Sequence, residues 1–284
     1  VRVAYSGTNV FNENIELNCT HATGGIYLGE ATAAAITLAS GKTIAAGSVG
    51  ITAGVVSIRN FTQLGNTPQV LNLSGTASLY FNSGNTFNGD VTSTLSGLGT
   101  FTVAAGNIFN AKTNFTAPQL LLHGATFADS SIIEKNGSGS NSSAGGNVFS
   151  GFALLKNSSN GTFIMGATNA DTFAQKTVLL NTGAGYLFMA NNHIGKTTFF
   201  GDTLIAVNSS VVAAGNPGIR FCEGNSTACE FNGVVIASNE GTGASNLIRF
   251  QNGLGQSVFN RRVYFNNNCS GSASIIDVSY RGNA

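Results

Sequence analysis

Charged side chains are scarce in this sequence: Asp, Glu, Lys and Arg make up 9% of its 284 residues, against about 25% in an average soluble domain. The formal net charge is +1 and there is no run of basic residues, so the chain lacks the electrostatic features of nucleic-acid-binding proteins. Disordered chains are poor in apolar and aromatic residues, whereas this chain has 20 Phe and is 42% hydrophobic. We therefore expect a folded protein that does not bind nucleic acid.

Long apolar runs and helical periodicity are also missing. No uninterrupted apolar run approaches the roughly 18 residues that a membrane-spanning helix needs, and no segment of about twelve residues repeats its apolar positions with the helical period. The polarity comes mainly from Asn, Ser, Thr and Gly, which disfavour helix interiors. These absences predict an all-β protein without a membrane span.

What the sequence does contain is an internal repeat. The repeated block is an apolar strand, a corner rich in Gly and Asn, a Phe, a second corner and an alternating strand, and residues 79–90 form its clearest copy. The Phe recurs at steps of 18 to 32 residues, and such variable steps place insertions at the corners, as in solenoid repeats. The predicted core Phe ladder consists of Phe87, Phe109, Phe127, Phe149, Phe173, Phe199, Phe231 and Phe259.

Because the turn residues keep a constant phase to the Phe, equivalent positions can stack from coil to coil, and Gly permits corners with positive φ. The sequence therefore predicts a parallel β-helix (β-solenoid) of about 11–12 coils in a single domain, residues 1–284. Residues 33–76 keep short strands but lose the Phe, and we expect them to form degenerate coils of the same stack. Sandwich modules built from hairpins are the alternative.

The two ends of the chain resemble each other. Residues 3–8 are echoed by residues 278–283, at an offset of 275 residues. The echo favours a segment of a longer tandem-repeat protein, in which neighbouring copies or flanking repeats meet end to end. The alternative is that any two coils of one solenoid look alike over so short a stretch.

The four cysteines fall into two pairs. Cys222 and Cys229 flank an insertion before Phe231, and we predict a structural disulfide, which is typical of an extracytoplasmic protein. A metal pair is the alternative, although no other Cys or His lies close in sequence. Cys19 and Cys269 occupy similar contexts near opposite ends of the stack, too far apart to pair within it. With the 275-residue offset, Cys19 of a next copy would follow Cys269 by 25 residues, so we predict that they pair between copies or stay unpaired.

No catalytic residue, metal site or cofactor is predicted. Polysaccharide-cleaving β-helix enzymes need acids clustered on one face, whereas the 12 carboxylates of this chain are dispersed. Asp90 and Asp202 each follow a marker Phe by three residues but stand several coils apart. We find no face with acids on neighbouring coils, and we interpret these carboxylates as solvated corner residues. His123 follows an apolar strand at a corner, where a structural role is expected.

Residues 85–91 and 183–191 resemble the β-strand repeats of very large secreted surface proteins of Bacteroidetes. The resemblance covers most of the chain, from about residue 24 to residue 265. It implies export to the cell surface as part of a giant adhesin or filament, sometimes linked to gliding or attachment. No catalytic residues come with it.

Composition, architecture and this resemblance together predict a non-enzymatic, extracellular structural or adhesive segment of a large cell-surface repeat protein, which could assemble end to end into a filament. Affinity would come from many weak, repeated contacts. The expected partners are neighbouring copies of the chain and surface glycans. The alternative is a polysaccharide-binding or polysaccharide-cleaving β-helix protein.

Overall fold

The computed structural model describes residues 1–31, 33–191, 195–211, 217–223, 227–243, 245–251, 256–270 and 275–278. Over these residues the structure consists of β-strands, turns and bends, without a helix. Within each sheet the strands pair in parallel with the strand three places further along the chain, so three strands make one turn. This is a parallel β-solenoid, and the predicted fold class is confirmed. The thirty-four strands in the described part of the chain correspond to about eleven turns.

The chain divides into two compact units, Val1–Ser131 and Ile132–Ala284. The strands of the first unit are β1 (Arg2–Val3), β2 (Thr8–Phe11), β3 (Ile15–Cys19), β4 (Gly25–Leu28), β5 (Ala35–Leu38), β6 (Ile44–Ile51), β7 (Val55–Ile58), β8 (Phe61–Gln63), β9 (Gln69–Val70), β10 (Ser78–Phe81), β11 (Thr86–Phe87), β12 (Val91–Thr94), β13 (Thr100–Val103), β14 (Ile108–Phe109), β15 (Thr113–Ala117), β16 (Gln119–Leu122) and β17 (Thr126–Phe127). Three parallel sheets result, ordered β1-β4-β7-β10-β13-β16, β2-β5-β8-β11-β14-β17 and β3-β6-β9-β12-β15.

Strand β18 (Ser131–Lys135) begins at the last residue of the first unit. The strands that follow are β19 (Asn141–Ser142), β20 (Val148–Phe149), β21 (Ala153–Asn157), β22 (Phe163–Met165), β23 (Thr172–Phe173), β24 (Thr177–Asn181), β25 (Tyr186–Met189), β26 (Thr197–Phe200), β27 (Leu204–Asn208), β28 (Gly218–Phe221), β29 (Ala228–Phe231), β30 (Val235–Asn239), β31 (Leu247–Phe250), β32 (Val258–Phe259), β33 (Val263–Asn267) and β34 (Ile275–Val278). The second unit repeats the arrangement, with sheets ordered β18-β21-β24-β27-β30-β33, β19-β22-β25-β28-β31-β34 and β20-β23-β26-β29-β32.

Phenylalanine rings stack inside each unit. In the first unit Phe87, Phe109 and Phe127 are fully buried, and successive ring centroids lie 5.4 and 5.2 Å apart with nearly parallel planes. In the second unit the centroids of Phe149 and Phe173 are 4.8 Å apart. Parallel pairing in register places equivalent side chains of successive turns next to each other, so each Phe ring covers the apolar face of the ring in the neighbouring turn.

One member of the predicted ladder is wrong: Phe200, and not Phe199, occupies the core position in β26. Phe200 pairs in register with Phe173 and with Phe231, and it is 1% exposed. Side chains alternate across a strand, so Phe199 points outward and is only half-buried. Two consecutive Phe made the two phases indistinguishable in sequence. Phe259 ends the ladder beside Phe231, with centroids 4.7 Å apart, and is partly exposed.

The turns without a marker Phe belong to the stack of the first unit, as predicted for residues 33–76. Leu38 and Gln63 take the ladder position there, since Phe11 pairs with Leu38 and Leu38 with Gln63. Both side chains are fully buried. A register shift in the pairing of β3 with β6 accommodates the extra residues of this region, which is the expected effect of a bulge.

Asparagines form a second ladder in the second unit. Asn157, Asn181, Asn208 and Asn239 each end the third strand of their turn and are fully buried. Each Nδ2 donates to the Oδ1 of the next Asn, at 3.2, 3.0 and 3.2 Å along the series. A carboxamide is both donor and acceptor, so a column of Asn satisfies itself inside the core, where an unpaired polar group would be costly.

We expect Phe200→Ala to lower the free energy of unfolding by about 3–5 kcal/mol, because it leaves a cavity between two stacked rings. Phe199→Ala, the matched change one residue earlier, should cost about 1 kcal/mol or less, because that side chain points outward. Urea unfolding followed by far-UV circular dichroism measures both. Equal losses for the two variants would contradict the assignment of Phe200 to the core.

Candidate functional site

The predicted disulfide is present between Cys222 and Cys229, whose Cα atoms are 6.3 Å apart. Both cysteines are fully buried. Cys222 directly follows β28 and has a φ of 56°, a left-handed conformation that turns the chain sharply. Cys229 lies in β29, paired in register with Thr198 of β26. The bond therefore ties the corner after β28 to the next sheet of the same turn.

Cys19 and Cys269 take no part in a disulfide. Cys19 is buried at the end of β3, whereas Cys269 is partly exposed and accepts a contact from Nδ2 of Asn246 at 3.2 Å. The two positions are not equivalent: Cys19 is the last residue of its strand, and the last residue of β33 is Asn267. A next copy in register would place its Cys19 over Asn267. Pairing between copies stays a prediction.

A row of aromatic and charged side chains lies on the outward face of one sheet in the second unit. Its members come from β25, β28, β31 and β34, where Phe188 pairs with Arg220, Arg220 with Arg249, and Arg249 with Asp277. A second aromatic precedes this row on β25, and an acid reaches it from the corner after β28. The arginine–aromatic patch consists of Tyr186, Phe188, Arg220, Glu223, Arg249 and Asp277.

Arg220 is the centre of the patch. Its Cζ lies 4.3 Å from the ring centroid of Tyr186 and 5.3 Å from that of Phe188, within the range of cation–π attraction. Its Nη1 is 3.7 Å from a carboxylate oxygen of Glu223, and its Nε is buried without a hydrogen-bond partner. Within the described part of the chain, the guanidinium therefore has a carboxylate as charge partner, while its Nε lacks a hydrogen-bond acceptor.

Arg249 connects the two acids of the patch. Its Nε donates to Oδ2 of Asp277 at 3.0 Å, and its Nη1 lies 4.0 Å from Oε1 of Glu223. Glu223 is the more enclosed acid, with 10% of its side chain exposed against 29% for Asp277. Two cations and two anions thus alternate within one small surface.

The patch contains two of the dispersed acids, Glu223 at the corner after β28 and Asp277 on β34, which lie two turns apart. Glu223 and Asp277 are 54 residues apart in sequence, yet both contact Arg249. Sequence carried a partial signal, because Arg220 and Arg249 occupy the same phase of the block as Phe188. The insertions between Glu223 and Asp277 concealed from the sequence that both acids contact the same arginine.

The two predicted corner acids do not belong to the patch. Asp90 and Asp202 are exposed and accept hydrogen bonds from the backbone N–H groups of Lys112 and Thr203, which agrees with their interpretation as corner residues. Within the described ranges, no group of three or more His, Cys, Asp or Glu is suited to hold a metal ion. The same ranges contain no helix that could span a membrane.

No family model, no curated protein and no solved structure matched this chain. The resemblance to surface-protein repeats of Bacteroidetes therefore stays an expectation.

Among the residues that the structure describes, three titratable groups have a pKa that burial shifts. Burial raises the pKa of Asp171 to about 7, opposed by hydrogen bonds that its Oδ1 accepts from the backbone N and the Nδ2 of Asn147, at 2.8 and 2.9 Å. Burial lowers the pKa of Lys135 to about 8, and its Nζ donates to Gly137 and Ser159. Burial also lowers the pKa of His123, whose backbone N–H donates to Val103. None of these groups belongs to the patch.

The first unit offers a groove of about 400 Å³ without a titratable group. Its lining residues are Gly50, Ile51, Asn72, Leu73, Ser74, Thr94 and Ser96. The Oδ1 of Asn72 accepts a hydrogen bond from the backbone N–H of Thr94 at 3.0 Å, so part of the polar lining is already occupied. The patch is the stronger candidate because it combines rings, cations and acids.

Asp171 predicts a pH dependence of stability. Its folded pKa of about 7 exceeds the ordinary value of 3.8, so between these values the folded chain keeps a proton that the unfolded chain loses. Stability should therefore fall as pH rises from about 4 to about 7, by at most ~1.4 kcal/mol per pH unit, and level off above that. Asp171→Asn should flatten this slope, whereas Asp90→Asn, the same change at an exposed corner, should preserve it. Urea unfolding across this pH range provides the measurement, and identical slopes for both variants would refute the assignment.

The cysteine assignment predicts two reactive thiols per chain. Maleimide labelling in denaturant without a reductant should modify Cys19 and Cys269, and prior reduction should add Cys222 and Cys229. Mass spectrometry of the labelled peptides identifies the sites. A peptide that joins Cys19 to Cys222 or Cys229 would be incompatible with the structure.

Proposed function

We propose that this chain is a non-enzymatic extracellular segment of a cell-surface protein, with a structural and adhesive role. The observation that carries the proposal is the arginine–aromatic patch, in which aromatic and charged side chains form a row on the outward face of a sheet. A shallow row on a repeated scaffold suits attachment to extended surfaces, where many weak contacts add up.

The buried disulfide supports an extracytoplasmic location. Disulfides persist in oxidising compartments and are rare in the cytosol, and Cys222 and Cys229 are both enclosed by the core. The bond also secures the corner that carries Glu223, the residue after Cys222. An oxidised chain would therefore keep the patch in shape outside the cell.

A tandem arrangement with neighbouring copies is the second part of the proposal. Val3 is the last residue of β1 and Val278 the last of β34, and both strands are the first of their turn. The sequence echo thus begins at equivalent positions of the fold. The rest of the echo, residues 279–283, lies outside the described residues.

Cleavage of polysaccharides is the alternative, and Glu223 and Asp277 are the observation that favours it. Acid and base catalysis on a sugar needs two carboxyl groups free to exchange protons at the glycosidic bond. In this structure both carboxylates contact Arg249, which favours binding over catalysis.

The adhesive proposal predicts that beads coated with the chain are retained on polysaccharide-coated surfaces under flow, more strongly than albumin-coated beads. The same polysaccharides incubated with the chain should release no new reducing ends or unsaturated sugars. Release of oligosaccharides that disappears with Glu223→Gln would establish the enzymatic alternative. Absence of retention on every surface would reject adhesion.

A further inference from the structure

We infer that the arginine–aromatic patch binds a neutral polysaccharide chain lying across the strands of its sheet. This inference rests on the adhesive function proposed above and adds its ligand class and its binding residues. The register gives the direction: Phe188, Arg220, Arg249 and Asp277 follow one another on four adjacent strands. Strands lie about 4.8 Å apart, so the row extends over roughly 14 Å, the scale of an extended oligosaccharide.

The aromatic end of the row supplies an apolar platform. The rings of Tyr186 and Phe188 lie side by side, with centroids 5.4 Å apart and planes inclined by 28°. The neighbour of Tyr186 on β28 is Gly218, which has no side chain, and the guanidinium of Arg220 packs on one face of the Tyr186 ring. Sugar rings present C–H faces that pack on aromatic rings, and their hydroxyls stay free for polar partners.

The guanidinium of Arg220 supplies hydrogen-bond donors that the protein does not use. A guanidinium carries five N–H donors in a fixed plane; the Nε of Arg220 is buried without a hydrogen-bond partner, and 18% of the side chain is exposed. Contact with the two rings restricts the position of the group. Adjacent hydroxyls of a sugar match the fork geometry of such a planar donor.

The charge balance of the patch selects against acidic chains. Arg220 and Arg249 are offset by Glu223 and Asp277 within ion-pair distance. A uronic acid or sulfated sugar would gain from the arginines but would meet two carboxylates in the same row, and like charges placed together are unfavourable. Neutral hydroxyls both donate and accept, so they can bond to carboxylates and guanidinium groups alike.

The disulfide keeps this arrangement preorganised. Cys222 turns the chain after β28, so that Glu223 returns over the sheet between Arg220 and Arg249. Binding groups held in place before the ligand arrives lose less conformational entropy on binding. The patch therefore has the properties of a preorganised binding site and differs from a group of flexible surface charges.

Affinity electrophoresis tests the inference with the full chain and five soluble probes: a β-glucan, a xylan, a galactomannan, alginate and polygalacturonate. We expect retardation by at least one neutral polysaccharide, with little change between low and high salt because no net charge is neutralised. Arg220→Gln and Phe188→Ala should weaken the binding about tenfold or more, as central contact residues do. Thermal unfolding of each variant verifies that it is folded.

Two matched substitutions on other faces of the second unit serve as controls. Arg262→Gln removes an exposed arginine and Phe199→Ala an outward phenylalanine, so both should leave the affinity unchanged within about twofold. Binding only to alginate or polygalacturonate, with loss at high salt, would overturn the neutral-ligand inference, as would equal effects of all four substitutions. Coated beads that adhere without any binding to neutral polysaccharides would reject the ligand but keep the adhesive function. Binding to a neutral polysaccharide in electrophoresis without bead retention would reject the adhesive function but keep the ligand.

Discussion

In-register stacking governs this structure: within each sheet a strand pairs in parallel with the strand three places further along, so a side chain faces its equivalent in the next turn. Apolar positions then form columns of rings, such as Phe87, Phe109 and Phe127. A ring covered above and below contributes its full apolar area to the core. Insertions are tolerated where they leave the columns in phase, at the corners or, between β3 and β6, through a register shift.

The same constraint decides how polar groups enter the core. Asn suits a column because each carboxamide donates to one neighbour and accepts from the other, as in the series from Asn157 to Asn239. When an ionisable group occupies such a position, burial disfavours its charged form and shifts its pKa. Asp171, which precedes its marker Phe as Asn147 does, has a raised pKa, and Lys135, the last residue of its strand as Asn157 is, has a lowered one.

On the outward face the register builds a surface row instead of a core. The repeat that places Phe221 over Phe250 also places Arg220 beside Arg249 on the opposite side of the sheet. Phe188 and Asp277 extend that row by one strand in each direction. A solenoid thus obtains an extended row of outward side chains from the regularity that stabilises it. The corner closed by the disulfide adds Glu223, which strand periodicity alone would not supply.

The sequence by itself determined the period, the parallel solenoid, most of the Phe ladder and the disulfide, because these depend on local alternation and on a repeated phase. It could not choose between Phe199 and Phe200, since only pairing with Phe173 and Phe231 decides which ring points inward. It did not reveal that Glu223 and Asp277 share Arg249, since the insertions that separate them in sequence lie at corners, outside the stack. Tertiary structure decided these points, because stacking converts distant positions of equal phase into neighbours.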